Sequence, residues 1–134
     1  MPNAAVVGSD PDTRALLRSL LHLRHHTVVA EGEGTGALRD VPANEGLDLL
    51  VLDSDVPGGG WTEVVTEAIR GRPSLRVILV TERTTREIVR KAERVGVSAV
   101  LPRPFLLHEF TEALDKPLPP PGHYSRSGAR RSPR

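Results

Sequence analysis

Cysteine is absent from this chain of 134 residues. That excludes a disulfide framework, a thiolate nucleophile and any cysteine-ligated metal. Aromatic residues make up only 3%, so a core has to be built from Leu, Val, Ile and Ala, which suits a sheet covered by helices. No apolar stretch approaches the length of a membrane span. Met1-Pro2-Asn3-Ala4 lacks the basic-then-apolar pattern of a secretory signal, so the expected location is the cytoplasm. Neither sign of charge dominates: the net charge is +1. The charge is nevertheless uneven. Residues 117–134 carry Arg126, Arg130, Arg131 and Arg134 and no acid, which leaves 14 Lys and Arg against 17 Asp and Glu in the rest.

Against these absences stands Asp53. It follows Asp48-Leu49-Leu50-Val51-Leu52, and Pro57-Gly58-Gly59-Gly60 comes within a few residues. An apolar run stopped by a turn reads as a buried strand. A carboxylate at the carboxyl end of such a strand points into the crevice where open α/β sheets bind ligands and do chemistry.

The rest of the chain supplies the sheet. Ala4–Val7 reads as a first strand. Asp10-Pro11 marks a helix start, with Asp10 as N-cap and Pro11 at the first helical position, and leucines carry that helix to about Arg24. Thr27–Ala30 is a second strand, Gly32-Glu33-Gly34 a turn and Thr35–Val41 a short helix. Asp48–Leu52, Arg76–Val80 and Ser98–Leu101 are three further strands. Helices are predicted over Trp61–Arg70 and Thr84–Val95, and a last one from the bend at Pro102-Arg103-Pro104 to about Asp115. Five strands alternating with five helices imply a doubly wound parallel α/β sheet of one domain, residues 1–116. Residues 117–134 hold five prolines, three serines and four arginines, a composition that cannot bury enough to fold and is expected to be disordered.

The strand ends place Gly8, Ser9, Asp10, Asp53, Asp55, Thr81, Glu82 and Arg103 along one edge. A carboxylate, a hydroxyl and a cation from three strands suit phosphoryl chemistry, with Asp53 as acceptor, Thr81 as hydroxyl donor and Arg103 as planar charge partner. An Asp53–Arg103 ion pair that only neutralises the strand ends is the second reading, and spacing does not separate the two.

Several motifs resemble those of the receiver domain of two-component response regulators, over about residues 3–115. They are Ser9-Asp10-Pro11-Asp12-Thr13-Arg14 with Leu16-Leu17, Asp53 with Pro57 and Gly60, Val80-Thr81, and Leu101-Pro102-Arg103-Pro104-Phe105. The resemblance implies a flavodoxin-like fold with strand order 2-1-3-4-5 in a bacterial, cytoplasmic phosphorelay protein. It implies that Asp53 accepts a phosphoryl group from a histidine kinase and that Thr81 binds that group. It implies no enzyme activity beyond self-catalysed phosphoryl transfer to Asp53.

The chain departs from the family pattern at its most charged positions. The acid pair that holds Mg²⁺ in the family falls on Gly8 and Ser9, its Lys falls on Arg103, and its aromatic switch falls on Val100. The loop after Asp53 reads one residue short, bringing Gly60 closer to Pro57. The oxygens left for a metal are Asp53, the backbone carbonyl of Asp55, Ser9 and Asp10, with Asp10 expected to cap its helix instead. A hard divalent ion wants several anionic oxygens, so the expectation is an atypical receiver with weak Mg²⁺ binding.

Weaker signals complete the reading. Gly32-Glu33-Gly34-Thr35-Gly36 follows the second strand and lacks a Lys, so it reads as a turn and not as a phosphate loop. His22, His25 and His26 have no acid or Cys to complete a metal set, and they suit a helix carboxyl end. Arg86, Arg90 and Arg94 fall four residues apart on one helix, with Glu82, Glu87 and Glu93 as available partners. They form either a solvated face or a partner surface, the latter in keeping with a homodimer through the fourth helix, fifth strand and fifth helix. The tail arginines are expected to solubilise, and nucleic acid and membrane are not expected partners. Three functions compete: a phosphorylated signalling receiver, a pseudo-receiver that binds a partner or ligand without phosphorylation, and a small enzyme on the same sheet. The last lacks a His or Cys near the strand ends.

Overall fold

A computed structural model describes residues 2–34, 36–39, 46–55 and 60–115. The predicted tail 117–134, the end of the predicted second helix and most of the loop after Asp53 lie outside the described residues. So does the shortening of that loop.

The elements alternate as β1 (Asn3–Val7), α1 (Pro11–Leu23), β2 (Thr27–Gly32), α2 (Gly36–Arg39), β3 (Leu49–Asp53), α3 (Trp61–Gly71), β4 (Arg76–Thr81), α4 (Arg86–Val95), β5 (Ala99–Pro102) and α5 (Leu107–Asp115). The strands form one sheet in the order β2-β1-β3-β4-β5, every pairing parallel. This is the flavodoxin-like α/β fold expected from the sequence. The central strands carry unbroken apolar runs because both of their faces are covered: all five residues of β3 are buried.

Side chains alternate along each strand, so successive residues enter two different cores. Ala4, Val6, Leu49, Val51, Ile78 and Val80 pack with Leu17 and Leu21 of α1 and Phe110 and Leu114 of α5. Ala5, Val7, Leu50, Leu52, Val77 and Leu79 pack with Trp61, Val64 and Val65 of α3 and Ala92 of α4. Asp53 continues the parity of Leu49 and Val51, and Gly8 that of Ala4 and Val6. The register pairs Val7 with Leu52, so Gly8 and Asp53 fall side by side past the ends of β1 and β3.

Most boundaries move by one residue from the sequence reading, and two larger shifts have a clear cause. β2 runs on through Glu31 and Gly32, where a turn was expected from the glycines, because Val6 and Val7 pair with them. The α4 helix begins at Arg86 and not Thr84, since Thr85 is its N-cap and accepts from the Ile88 amide at 3.2 Å. At the other end Gly96 caps α4 with φ of 98°, and a Cβ there would stand 2.9 Å from Ile69 Cδ1. Gly96→Ala is therefore expected to cost about 1–2 kcal/mol, mostly from the left-handed backbone, read as a lower urea midpoint at unchanged slope.

Candidate functional site

The carboxyl edge of the sheet gathers β1, β3, β4 and β5 around Asp53. Its side chain is 1% exposed. Oδ1 accepts from the Asp55 amide at 3.0 Å. Arg103 Nη1 stands 3.0 Å from Oδ2, but its N–H bonds are not aimed at that oxygen, so Oδ2 is buried with no hydrogen-bond donor. The contact is an ion pair without an aligned hydrogen bond. Burial pushes the Asp53 carboxyl above the ordinary aspartate range, against the opposing pull of the Asp55 amide and the Arg103 charge.

Gly8 makes this burial possible. A Cβ at Gly8 would stand 3.0 Å from Asp53 Cβ, tighter than side chains normally pack. Its backbone is pinned from both sides: the amide donates to Gly32 O at 3.0 Å, and the carbonyl accepts from Arg14 Nη1 at 2.6 Å. Arg14 is held in turn by Glu31, 3.4 Å from Nε, and Arg18 reaches the same carboxylate at 2.6 Å.

The other residues singled out from the sequence are present at the edge but engaged locally. Asp10 caps α1, accepting from the Asp12 and Thr13 amides and from the Thr13 hydroxyl at 2.7 Å. The Thr13 hydroxyl and the Asp12 amide hold its carboxyl below the usual range. The Ser9 hydroxyl donates to Asp55 Oδ2 at 3.3 Å. Thr81 is buried, and its hydroxyl donates to Arg83 O at 3.1 Å while accepting from Ser54 Oγ at 3.0 Å. The hydroxyl expected to face a phosphoryl group is thus spent on the loop that follows β4. The Arg103 backbone is anchored by its amide to Thr81 O at 2.7 Å, and the Arg103–Pro104 peptide is cis. Val100 is partly buried and packs against the α3–α4 core.

The fit of a divalent ion follows from this donor set. Gly8 brings no oxygen beyond a carbonyl already given to Arg14, and Ser9 brings a neutral hydroxyl. Asp53 alone is a buried carboxylate, and a guanidinium stands 3.0 Å from it. Among the described residues no group of three or more His, Asp or Glu could share a metal ion. The residues present fall short of what Mg²⁺ takes.

Sequence reasoning missed Arg14, Glu31, Ser54 and the second partner of Arg103, which is Glu82 at 3.5 Å from Nη2. Glu31 was hidden because β2 was cut short at Ala30. The acids expected to face the α4 arginines go elsewhere: Glu82 to Arg103, and Glu87 to Lys91 at 3.5 Å. Arg86 and Arg90 are exposed, and Arg94 lines a groove with Trp61, Glu67 and Arg70 between α3 and α4.

The pattern of the response regulator receiver domain matches residues 4–115. The TorCAD operon transcriptional regulatory protein TorR of Escherichia coli K12 is 32% identical over 111 residues, 82% of this chain and 47% of that protein. Sporulation initiation phosphotransferase F of Bacillus subtilis strain 168 is 25% identical over 114 residues, 85% of this chain and 91% of that protein. The chain thus spans about half the length of the first relative. Among solved structures, a Burkholderia pseudomallei response regulator with a phosphorylated aspartic acid, calcium ion and citrate superposes with a TM-score of 0.77 at 15% identity. That match covers 98% of this chain and 74% of the other, and at this identity it speaks for the fold alone.

Proposed function

The chain belongs to the response regulator receiver domain family, and we propose that it is an atypical member whose signalling does not run through efficient Mg²⁺-dependent phosphorylation. Receiver domains of two-component systems interact with histidine kinases or phosphotransferases, and they are generally not enzymes. On the atypical reading this one acts as an interaction module that keeps the acceptor position without its metal clamp. One observation carries the proposal: Arg103 lies 3.0 Å from Asp53, while Gly8 and Ser9 stand where a divalent ion would need acids. A metal supplies several kcal/mol in phosphoryl transfer, so its loss slows the reaction by orders of magnitude.

One feature favours the ordinary phosphorylated reading as the alternative. Asp53 Oδ2 accepts no hydrogen bond, so no donor has to be displaced before it attacks phosphorus. Intact mass after incubation of the full chain with a small phosphodonor and Mg²⁺ separates the two. No stoichiometric phosphoryl adduct is expected. An adduct that forms on the wild type and vanishes in Asp53→Asn returns the chain to the ordinary class.

The partner surface we assign to α4, β5 and α5. Arg86 and Arg90 are exposed on α4 and Glu112 is exposed on α5, so two copies related by a two-fold axis would set arginines against an acid. Thr84, Val89, Val100 and Pro102 line the groove between them. Among the described residues no helix is long and apolar enough to cross a membrane.

A further inference from the structure

Three acids besides Asp53 stand near the crevice. Asp10 is committed to Asp12 and Thr13, and Asp55 to Ser9. Glu82 meets Arg103: Nη2 lies 3.5 Å from its Oε2 while Nη1 lies 3.0 Å from Asp53 Oδ2. One planar guanidinium, seated just after β5, thus spans the ends of β3 and β4. Its seat is the Thr81 carbonyl, 2.7 Å from the Arg103 amide. The Thr81 hydroxyl holds Arg83 twice, at its carbonyl (3.1 Å) and its amide (3.3 Å). Asp53, Arg103 and the loop that opens α4 are one connected set.

A divalent ion in such a crevice would neutralise carboxylates and tie strand ends together. Here the guanidinium does both, and its fixed positive charge beside Oδ2 repels any second cation. A lysine ammonium is a compact point charge and lacks the fork that reaches two carboxylates at once. We propose that Arg103 is the resident cation of this crevice, taking the place of a divalent ion, and that its bridge from Asp53 to Glu82 clasps the acceptor position to the loop opening α4. The inference rests on the reading of the site given above and deepens it.

Calorimetric Mg²⁺ titration and amide hydrogen exchange on the full chain, with no phosphodonor, test it. Wild type is expected to give no saturable Mg²⁺ heat. Arg103→Ala frees Asp53 and Glu82 and is expected to gain Mg²⁺ affinity at least about tenfold, a gain that disappears when Asp53→Asn is added. Glu82→Gln changes a side chain that is 79% exposed, so the core is untouched. It is expected to speed exchange of the amides of residues 83–86 several-fold. Wild type binding Mg²⁺ as tightly as Arg103→Ala overturns the substitution. Unchanged exchange in Glu82→Gln overturns the clasp, even where Arg103→Ala does not fold. Neither readout measures phosphoryl uptake, so failure here is distinct from failure of the proposed function.

Discussion

The triple variant Gly8→Asp, Ser9→Asp, Arg103→Lys is expected to take up phosphoryl from a small donor about a hundredfold faster than the wild type in Mg²⁺. Two carboxylates at the end of β1 would join Asp53 to make the oxygen set a hard divalent ion requires. Lysine would replace a guanidinium that spans Asp53 and Glu82 with a single ammonium, freeing Glu82. Recovering about 3 kcal/mol of metal stabilisation accounts for a hundredfold in rate. The gain comes at a cost in stability. The new Cβ at position 8 would stand 3.0 Å from Asp53 Cβ, so one of the two must shift by a few tenths of an ångström. Overpacking of this kind costs about 1–3 kcal/mol, and three adjacent carboxylates add repulsion. The triple variant should therefore melt lower than wild type without Mg²⁺ and recover part of the loss with it. Phosphorylation rates by intact mass and melting curves with and without Mg²⁺ check both halves. A triple variant that folds, binds Mg²⁺ and is phosphorylated no faster than wild type would show that the missing acids are not what limits the site.

The fold was readable because its signals are local and repeated. Leu49-Leu50-Val51-Leu52 and Val77-Ile78-Leu79-Val80 are runs that only a strand covered on both faces explains, and Asp10-Pro11 and Gly96 mark helix ends by capping chemistry. Gly32 was assigned to the turn and Glu31 left outside the strand because glycine signals a break in sequence, whereas pairing with Val6 and Val7 decides the matter in space. The same distinction runs through the site. Asp53 and Arg103 were legible because each sits at the end of an apolar run, and their pairing is one of the two readings left open by spacing. The partners that set their geometry were not legible. Glu82 reaches Arg103 across two strand ends, and the Thr81 hydroxyl turns to Arg83 and Ser54. Such choices among several donors within reach depend on side-chain direction, which periodicity does not carry. Gly8 was read only as a missing acid. Its close approach to Asp53 shows that it also makes room for that carboxylate to be buried.

Replacing Asp53 and Arg103 one at a time is expected to move stability in opposite directions. Asp53 is 1% exposed, and burial raises its carboxyl above the ordinary value even with Arg103 beside it. The folded chain therefore binds that proton more tightly than the unfolded chain does. The contribution of this group is fully present below about pH 3.8, the ordinary aspartate value, and is lost as pH rises through the raised folded value. Asp53→Asn keeps the shape and removes the buried charge, and Arg103 retains Glu82. A gain of about 1 kcal/mol at neutral pH is expected, closing as pH falls through the raised folded value and gone by the ordinary aspartate value. Arg103→Ala instead leaves the Asp53 charge buried and unpaired. That costs about 2–3 kcal/mol at neutral pH, less than breaking a fully buried pair because the Arg103 side chain keeps 21% exposure. This loss also shrinks on acidification, since protonated Asp53 no longer needs a cation. In the double variant most of the Arg103→Ala penalty should disappear, giving a coupling energy above 1 kcal/mol in the cycle. Urea unfolding of the four proteins at neutral and acid pH measures all of these quantities. An Arg103→Ala loss within about 0.5 kcal/mol, as at an ordinary surface position, would mean that the ion pair does not govern the site. A destabilised Asp53→Asn would mean that the carboxylate is held there by more than the charge of Arg103.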